Sequence, residues 1–399
     1  MSRLPDGGGG IGHRGLAMTQ TGVRRFALIG GAAAAAMVAG AGLARPAMAA
    51  DAPAATASVG EVIVTAQKRA ENINDVPESL TAISGEKLDV IRSSGGDIRV
   101  LSARVPSLVL ESSFGRTFPR PYIRGLGNTD FDLNASQPVS FVYDEVVLEN
   151  PILKGLPLFD IDQVEVLRGP QGTLFGRNTP AGVLKFDSVH PKQTFGGYAE
   201  ASYGTFGTTN IKAAVGGPLV PGVLAARVSA LYQHRDDWID NTFTHVSDAT
   251  GGYSEYALRG QLLYTPNEQF SALGNVHYFH LNGSPQIFRA NIIKPGTNDF
   301  VPGFERDQIA QDAQPRSTQR VEITGANLKL NYDFGGGGPV LTSVTAYEHA
   351  KVYSRGDIDG GFGASLAPPF GPGFIPFPSE TADGLPYHQQ LSEEARLAG

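Results

Sequence analysis

The sequence predicts a small mixed α+β domain followed by antiparallel strands that cross a membrane. Two observations indicate this fold class. Apolar and polar residues alternate through several runs in the second half of the chain, and no run beyond residue 49 reaches the ~18 consecutive apolar residues that a membrane helix needs. The 50 glycines and 27 prolines among 399 residues also favour strands and turns over long helices.

Composition excludes several classes of function. The net charge of −7 argues against a general nucleic-acid binder, which would carry a basic surplus. The absence of cysteine excludes disulfides, thiolate metal sites and cysteine nucleophiles. His277 and His280 are three residues apart in a predicted strand, so they point to opposite faces and cannot share a metal ion. Because no nucleophile–base set can be assembled, we expect no enzymatic activity, no metal site and no cofactor.

Residues 1–49 predict a cleaved export signal. The pair Arg24-Arg25 precedes the uncharged, apolar stretch 26–44, and Ala47-Met48-Ala49 supplies a small-x-small cleavage site. The mature chain is therefore expected to begin directly after that site, and translation starts at the first methionine or at Met18. The alternative is an uncleaved membrane anchor, which the Ala-rich, weakly hydrophobic stretch disfavours.

Residues 50–70 form a predicted N-terminal extension. Residues 51–60 are rich in alanine and other small residues, which favours disorder, and they precede a short β-prone run, Glu61-Val62-Ile63-Val64-Thr65-Ala66. Such a run can add itself as a strand to the exposed sheet edge of a partner, where main-chain hydrogen bonds supply the affinity. The alternative is an ordinary first strand of the next domain.

The second half of the chain predicts long antiparallel strands. Apolar and polar residues alternate in runs such as 224–233, 256–264 and 326–332, and pleating sends the two sets to opposite faces of a sheet. Short connections such as 264–270 and long ones such as 282–320 both occur, which is typical of outer-membrane barrels. A soluble β-sandwich is the alternative, but its strands usually run about 5–6 residues and several here are longer.

Several blocks of the chain resemble, in sequence and in order, the TonB-dependent outer-membrane receptors. The first block is similar to the Ton box of that family, the others are similar to its plug domain, and the last block, IDQVEVLRGPQGTLFGRN, is the clearest match. The blocks are 61–69, 74–88, 105–108, 122–127, 142–146 and 161–178. One departure is that Lys185 and Asp187 place charge in the strand that ends the plug, which we interpret as a subfamily variant.

The resemblance implies an order of domains. Residues 1–49 would be the signal peptide, 50–70 the periplasmic extension with the Ton box, 71–191 the plug domain and 192–399 the partial barrel. Barrels of this family have 22 strands, whereas about eight candidate strands follow the plug. The prediction is therefore an α+β plug domain followed by the first antiparallel strands of an incomplete 22-stranded transmembrane β-barrel, in a truncated chain.

The resemblance also implies a function. Receptors of this family sit among outer-membrane lipids, bind a scarce small molecule at the cell surface and import it, and that solute is most often a ferric siderophore. Energy comes from the inner-membrane complex of TonB, ExbB and ExbD, which pulls on the Ton box. Uptake of haem, cobalamin or an oligosaccharide is an alternative, as is a non-functional partial gene product. A passive porin or adhesin barrel, or a soluble periplasmic module, is a more distant alternative.

Charged residues of the plug motif are candidates for a polar latch. Within a barrel lumen Arg168 and Arg177 would need carboxylate partners, because unpaired buried charge is costly. Glu165 is a local candidate, and the resemblance implies further partners on the barrel wall. Glu255 lies near a predicted loop, where we expect a solvated charge.

The resemblance also suggests where a ligand would bind. Stretches 114–120 and 128–137 would form the apices of the plug, which in this family meet the ligand together with the extracellular loops. Arg116, Arg120 and Tyr122 are the candidate contacts for an anionic chelate.

Overall fold

The computed structural model describes residues 62–93, 97–102, 104–312, 317–362, 364–366, 373–375, 377 and 379–399. The predicted signal peptide and Glu61 lie outside these residues. The described residues belong to one compact unit, Gly60–Gly399. None of the helices in this part of the chain has the length and apolar character of a membrane span.

The N-terminal domain corresponds to the predicted plug. It also contains two short 3-10 helices, Ile98–Leu101 and Pro151–Gly155. Its strands and α-helices are β1 (Ile63–Val64), β2 (Glu71–Asn72), β3 (Ser79–Ser84), α1 (Gly85–Ser93), β4 (Leu108–Glu111), β5 (Arg120–Ile123), β6 (Val139–Tyr143), β7 (Val146–Leu148), β8 (Ile161–Arg168), α2 (Gly172–Phe175) and β9 (Gly182–Ser188).

The plug is built on a five-stranded mixed sheet in the order β3-β8-β9-β6-β7, with β6 and β9 parallel. Strand β8 lies inside the sheet between β3 and β9, and Val164 and Val166 on it are fully buried. Strands β6 and β7 are joined by Asp144 and Glu145, both with positive φ (47° and 73°). Two consecutive residues of that kind form the tight turn that matches the twist of a hairpin, so this turn projects Glu145 at a fixed point.

An eight-stranded antiparallel sheet follows the plug. Its order is β10-β11-β12-β15-β16-β18-β19-β22, and its edge strands β10 and β22 do not pair with each other. This confirms the predicted fold class and the estimate of about eight strands. The strands are β10 (Gly196–Tyr203), β11 (Thr209–Val220), β12 (Leu224–Arg235), β15 (Tyr253–Tyr264), β16 (Phe270–Gly283), β18 (Thr318–Asp333), β19 (Val340–Gly356) and β22 (Thr381–Ala398).

The two faces of this sheet differ in chemistry. The outer face carries exposed apolar side chains, among them Val228, Leu258, Leu262, Val276 and Leu328. The inner face carries buried polar side chains that face the plug, among them Gln233, Glu255, Arg259, Gln261 and Asn275. Apolar residues outside and polar residues inside are the pattern of a transmembrane barrel wall, the reverse of a soluble sandwich.

The two ends of the sheet also differ. At the turn end, short connections join β11 to β12, β15 to β16 and β18 to β19. At the loop end, long connections carry small sheets of their own, formed by β13 (Ile239–Asn241), β14 (Val246–Thr250), β17 (Gln308–Ile309), β20 (Ser365–Leu366) and β21 (Gly373–Phe374). The sheets bring loops from distant parts of the sequence together above the plug.

Candidate functional site

A tight turn of the plug, Phe114–Thr117, reaches the inner face of the sheet near its loop end. Gly115 has a φ of +71°, and a Cβ there would lie 2.8 Å from the Gln319 side chain of β18, so the position requires glycine. The Gln319 amide donates to the carbonyl of Phe114, and its oxygen accepts from the Arg116 N–H at 3.3 Å. The turn is therefore held against the wall through its backbone.

Arg116 on this turn makes a two-pronged ion pair with Glu255 of β15. The two N···O distances are 2.7 and 3.0 Å, Gln233 accepts a further hydrogen bond at 2.9 Å, and the guanidinium lies 3.8 Å from the centre of the Tyr253 ring. The expectation of a solvated charge at Glu255 was wrong, because this residue is only 3% exposed and its partner comes from a segment 139 residues away.

Arg116 is one wall of a cavity of about 530 Å³ between the plug turn and the loops at the loop end. Cationic and aromatic side chains dominate its lining, and no Asp or Glu among the described residues contributes to it. The cationic residues are Arg99, Arg116, Arg235, Arg289 and Arg306, and the aromatic ones are Trp238, Tyr253, Phe300 and Phe304.

The arginines of the cavity are not equally neutralised. Arg99 pairs with Asp97 and Arg116 with Glu255. Within the described part of the chain, the contacts of the other three are neutral: Arg235 donates to the Thr208 hydroxyl at 3.2 Å, Arg289 donates to a backbone carbonyl at 2.8 Å, and Arg306 lies 6.0 Å from the Phe300 ring. The cavity therefore has an excess of positive charge and suits a ligand with anionic oxygens and flat rings.

Of the three predicted ligand contacts, only Arg116 lines this cavity. Arg120 is buried, donates to the Asp130 carbonyl at 2.8 Å and lies 4.4 Å from the Phe131 ring, while Tyr122 donates to Glu111 at 2.7 Å. These two residues brace the second predicted apex, 128–137, from below. The arginines contributed by the long loops were missed, since their positions depend on loop packing.

The β-prone segment that resembles a Ton box is docked on the plug. Ile63 and Val64 pair with β2, and Val64 and Ala66 are fully buried. Their side chains belong to a small apolar cluster that includes Leu167 and Phe175. Glu61, the first residue of the predicted motif, lies outside the described residues.

Thr65 within this segment sits on a buried charged pair of the plug. Its N–H and hydroxyl donate to Glu165 at 2.8 and 3.1 Å, and the Lys185 ammonium donates to the same hydroxyl. Lys185 also binds Asp187 and lies 3.8 Å from Glu165. Burial raises the pKa of Asp187 to about 6 despite Lys185. Lys185 and Asp187, the charged residues that depart from the family pattern, therefore help to hold Thr65 on the plug.

The predicted latch residues do not contact one another. Glu165 and Arg168 are three residues apart on β8, which places their side chains on opposite faces. Arg168 donates to the Pro106 carbonyl at 3.2 Å and to hydroxyls of β3, and the exposed Arg177 pairs with Glu149 of the plug at 3.2 Å. Among the described contacts, the partners of both arginines thus lie in the plug, and Glu165 is not one of them.

Other ion pairs join the plug to the sheet, mostly with the opposite polarity from the one expected. Arg227 of the sheet donates to the fully buried Asp160 of the plug at 2.8 Å, and Arg259 donates to Tyr143 and to the Phe159 carbonyl. These contacts place the cations on the wall and the acceptors on the plug.

Glu145 and Lys68 extend this set towards the turn end of the sheet. Glu145 lies 2.9 Å from Lys329 and 2.7 Å from Arg396. Burial disfavours its charged form, but these two cations outweigh burial and lower the pKa of Glu145 to about 2. Lys68, which follows the docked segment, binds Glu394 of β22 at 2.6 Å.

The histidines follow the expectation from strand parity. His277 faces inward and lies 3.1 Å from Glu348, whereas the His280 ring packs 5.1 Å from the Tyr256 ring on the outer face. In the described part of the chain, no three His, Asp or Glu side chains converge as a metal site would require.

Comparison with known proteins also identifies a plug domain in the N-terminal part of the described chain. Residues 72–183 match the family model of the TonB-dependent receptor plug domain. The pesticin receptor of Yersinia pestis is 29% identical over 211 residues, which are 52% of this chain and 30% of that protein. The chain thus spans about a third of the length of this relative.

Solved structures share the fold at low identity. The ferric yersiniabactin uptake receptor FyuA from Yersinia pestis superposes with a TM-score of 0.59 and 21% identity, covering 70% of this chain and 43% of that one. The ferric-catecholate import receptor Fiu from E. coli K12 gives a TM-score of 0.57 and 18% identity, covering 82% and 47%. These similarities show that the chain shares the fold of these receptors.

Proposed function

We propose that this chain is part of a TonB-dependent receptor that imports a ferric siderophore across the outer membrane, and the match of residues 72–183 to the plug domain of that family supports the proposal. The observation that carries the proposal is the cavity at the loop end. Five arginines and four aromatic rings line it, and the described lining contains no carboxylate. Ferric siderophores present anionic oxygens, and many present planar rings, which are the groups such a lining recognises.

The driving force is proposed to act on residues 61–66. Residues Val62 to Ala66 are described, and the strand at Ile63–Val64 gives the segment an extended part that suits strand addition to the edge of a TonB sheet. TonB, with ExbB and ExbD, would then draw this segment away from the plug. Because Val64 and Ala66 are buried and Thr65 is hydrogen-bonded to Glu165, the segment must leave the plug before TonB can pair with it.

The outer face of the sheet supports a location in the outer membrane. Exposed valine and leucine side chains cover its middle, and Tyr232, Tyr256, Tyr264 and Tyr332 lie towards the strand ends. An apolar band with aromatic borders matches the lipid interior and its two interfaces.

We place the polar latch of the plug at Asp160 and Glu145, where buried ion pairs cross to the sheet. Glu165, one of the predicted latch residues, instead holds Thr65 on the plug by accepting its hydrogen bonds. Arg168 and Arg177 stabilise the plug internally through Ser79, Pro106 and Glu149.

The chain offers a direct test of the ligand site, because its single tryptophan, Trp238, lines the cavity. Purified receptor titrated with an anionic ferric siderophore should show saturable quenching of Trp238 fluorescence. Arg235→Glu and Arg306→Glu should each weaken binding by about tenfold or more, the value of a charge-assisted hydrogen bond. Arg320→Glu is the matched control, since Arg320 is exposed on β18 away from the cavity.

Other outcomes would redirect the proposal. Saturable quenching by haem, cobalamin or an oligosaccharide, with none by ferric siderophores, would replace the siderophore as solute. Equal losses of affinity in Arg235→Glu and Arg320→Glu would show that the cavity is not the binding site.

A further inference from the structure

Five side chains of alternating charge form a continuous chain between the docked segment, the sheet and the plug. The links are Lys68–Glu394 at 2.6 Å, Glu394–Arg396 at 3.0 Å, Arg396–Glu145 at 2.7 Å and Glu145–Lys329 at 2.9 Å. We infer that this ion chain, Lys68–Glu394–Arg396–Glu145–Lys329, couples undocking of residues 62–66 to release of the β6–β7 turn of the plug from the sheet. The inference rests on the proposed pull by TonB.

The ion chain begins at Lys68, in a turn that hydrogen bonds and an ion pair hold in place. The Lys68 N–H donates to the Thr65 carbonyl at 2.9 Å, and Thr65 is bound to Glu165. Lys68 has a φ of 59°, a left-handed conformation that costs energy for a residue with a Cβ. Its ammonium is held by Glu394 and lies 5.2 Å from the Phe175 ring. The ion pair thus stabilises the strained turn that keeps the segment docked.

The ion chain ends at the β6–β7 turn, which binds the plug to the sheet. Glu145 lies at the tip of the β6–β7 hairpin and binds Lys329 and Arg396, which belong to different strands, β18 and β22. Gln390, on the same face of β22 as Arg396, adds hydrogen bonds to the backbone of Val147 and Glu149 at 2.8 and 3.0 Å. One strand, β22, therefore holds both the docked segment and this hairpin.

The ion pair that holds the docked segment and the ion pair that holds the β6–β7 turn depend on each other because both involve Arg396 or its partner Glu394. Arg396 forms ion pairs with both Glu394 and Glu145, and Lys68 is the second cation that pairs with Glu394. When Lys68 leaves with the segment, Glu394 retains Arg396 as its only partner within the described chain. Arg396 then shifts towards Glu394 and loosens its hold on Glu145, whose largely buried charge is left with less compensation.

Thiol labelling can test this coupling, because the chain contains no cysteine and each introduced thiol is unique. One probe is Ala66→Cys, which is buried while the segment is docked. The other is Val147→Cys in the β6–β7 hairpin. The rate of maleimide labelling is measured at each probe for the receptor in isolated outer membranes, without TonB or ligand.

Lys68→Met should raise the labelling rate at position 66 by about tenfold, as expected for removing one partner of a largely buried pair, and should also raise the rate at position 147. Glu394→Gln should also raise the rate at position 66, because Lys68 loses the same partner, but it should not raise the rate at position 147, because Arg396 then stays with Glu145. At position 66 the double variant should not exceed the larger single effect, because both changes break one interaction. Lys68→Arg should return both rates to those of the unaltered receptor.

Arg69→Met is the matched control, since Arg69 is an exposed neighbour that pairs with Glu71 outside the ion chain. It should leave both rates unchanged. In Lys68→Met, a rise at position 66 without a rise at position 147 would overturn the coupling. Additive effects of Lys68→Met and Glu394→Gln at position 66, or an equal effect of Arg69→Met, would overturn it as well. Because neither readout involves transport, this result and the test of the proposed function can fail independently.

Discussion

Two regions of the plug differ in how their charges are compensated. The ligand end is the part around Arg116 that lines the cavity, where we propose that the ligand binds. The paired side is the part around Asp160 and Glu145 that faces the sheet. At the ligand end, three of the five cavity arginines have only neutral contacts among the described residues, and the cavity is open to a ligand. On the side that faces the sheet and the docked segment 62–66, buried carboxylates are matched to cations: Asp160 to Arg227, Glu145 to Lys329 and Arg396.

For the proposed import function, this difference divides ligand binding and plug opening between the two regions. Surplus positive charge at the ligand end lets an anion bind without breaking an existing pair. On the paired side the charges of Asp160 and Glu145 are already matched, so each step of release there must replace one interaction by another or by water. Binding should therefore proceed without an energy source, whereas opening should require one.

The largest expected effect separates the two regions completely. Val64→Pro removes a backbone donor from the segment that TonB would pair with, because proline has no N–H. Energised uptake of the ferric siderophore should be abolished, while the affinity measured at Trp238 should remain that of the unaltered receptor. The measurements are uptake of labelled iron by cells and fluorescence titration of the purified protein.

Ile63→Ala is the control for that prediction, since the Ile63 side chain is largely exposed and its backbone keeps its donor. It should retain most of the uptake. Parallel loss of uptake and ligand binding in Val64→Pro would mean that the segment is a structural strand of the plug, the alternative left open by the sequence.

A second change tests whether the buried pairs hold the plug. Asp160→Asn keeps the shape of the side chain but leaves Arg227 without its charged partner, which should destabilise the plug by about 3–5 kcal/mol. Glu149→Gln breaks the pair with the exposed Arg177 and should cost at most about 1 kcal/mol. Hydrogen exchange of plug amides against urea measures both, and equal shifts for the two variants would refute the distinction between buried and exposed pairs.

Strand architecture was predictable from the sequence, whereas the partners of charged residues were not. Alternation with a period of two places Val228 and Leu258 outside and Arg259 inside whatever the neighbours are, so the sheet followed from local pattern. The plug followed from ordered motifs. The same parity rule, applied to β8, would already have separated Glu165 from Arg168.

The candidate site was predicted only where a motif carried it. Arg116 was found because it lies in a predicted apex, but its partner Glu255 is 139 residues away, and Arg235 and Arg306 reach the cavity through long loops. Loop packing depends on contacts that no short-range pattern encodes. The departure at Lys185 and Asp187 was visible in the sequence, and its meaning appeared only when Thr65 was placed beside Lys185.

The smallest expected effect distinguishes the two regions by acid. Arginine side chains in general stay protonated at acidic pH, whereas the carboxyl group of Glu145 can be protonated there. Burial disfavours the charged form of Glu145, yet Lys329 and Arg396 lower its pKa from 4.5 to about 2. A carboxyl group whose pKa is depressed by folding contributes stability that is fully present above pH 4.5 and is lost as the pH falls towards 2. The shift corresponds to about 3 kcal/mol.

Lowering the pH from 6 to about 3 should therefore reduce the urea concentration at which plug amides exchange, through the part of the transition that Glu145 controls. Glu145→Gln removes the titrating group, so the variant should be less stable at pH 6 and should lose less stability on acidification. Exchange profiles of the two proteins that stay parallel over this range would show that Glu145 does not hold the plug. Quenching of Trp238 fluorescence by a ferric chelate that remains intact at the lower pH gives the matching control, because the charge of the cavity should be unchanged.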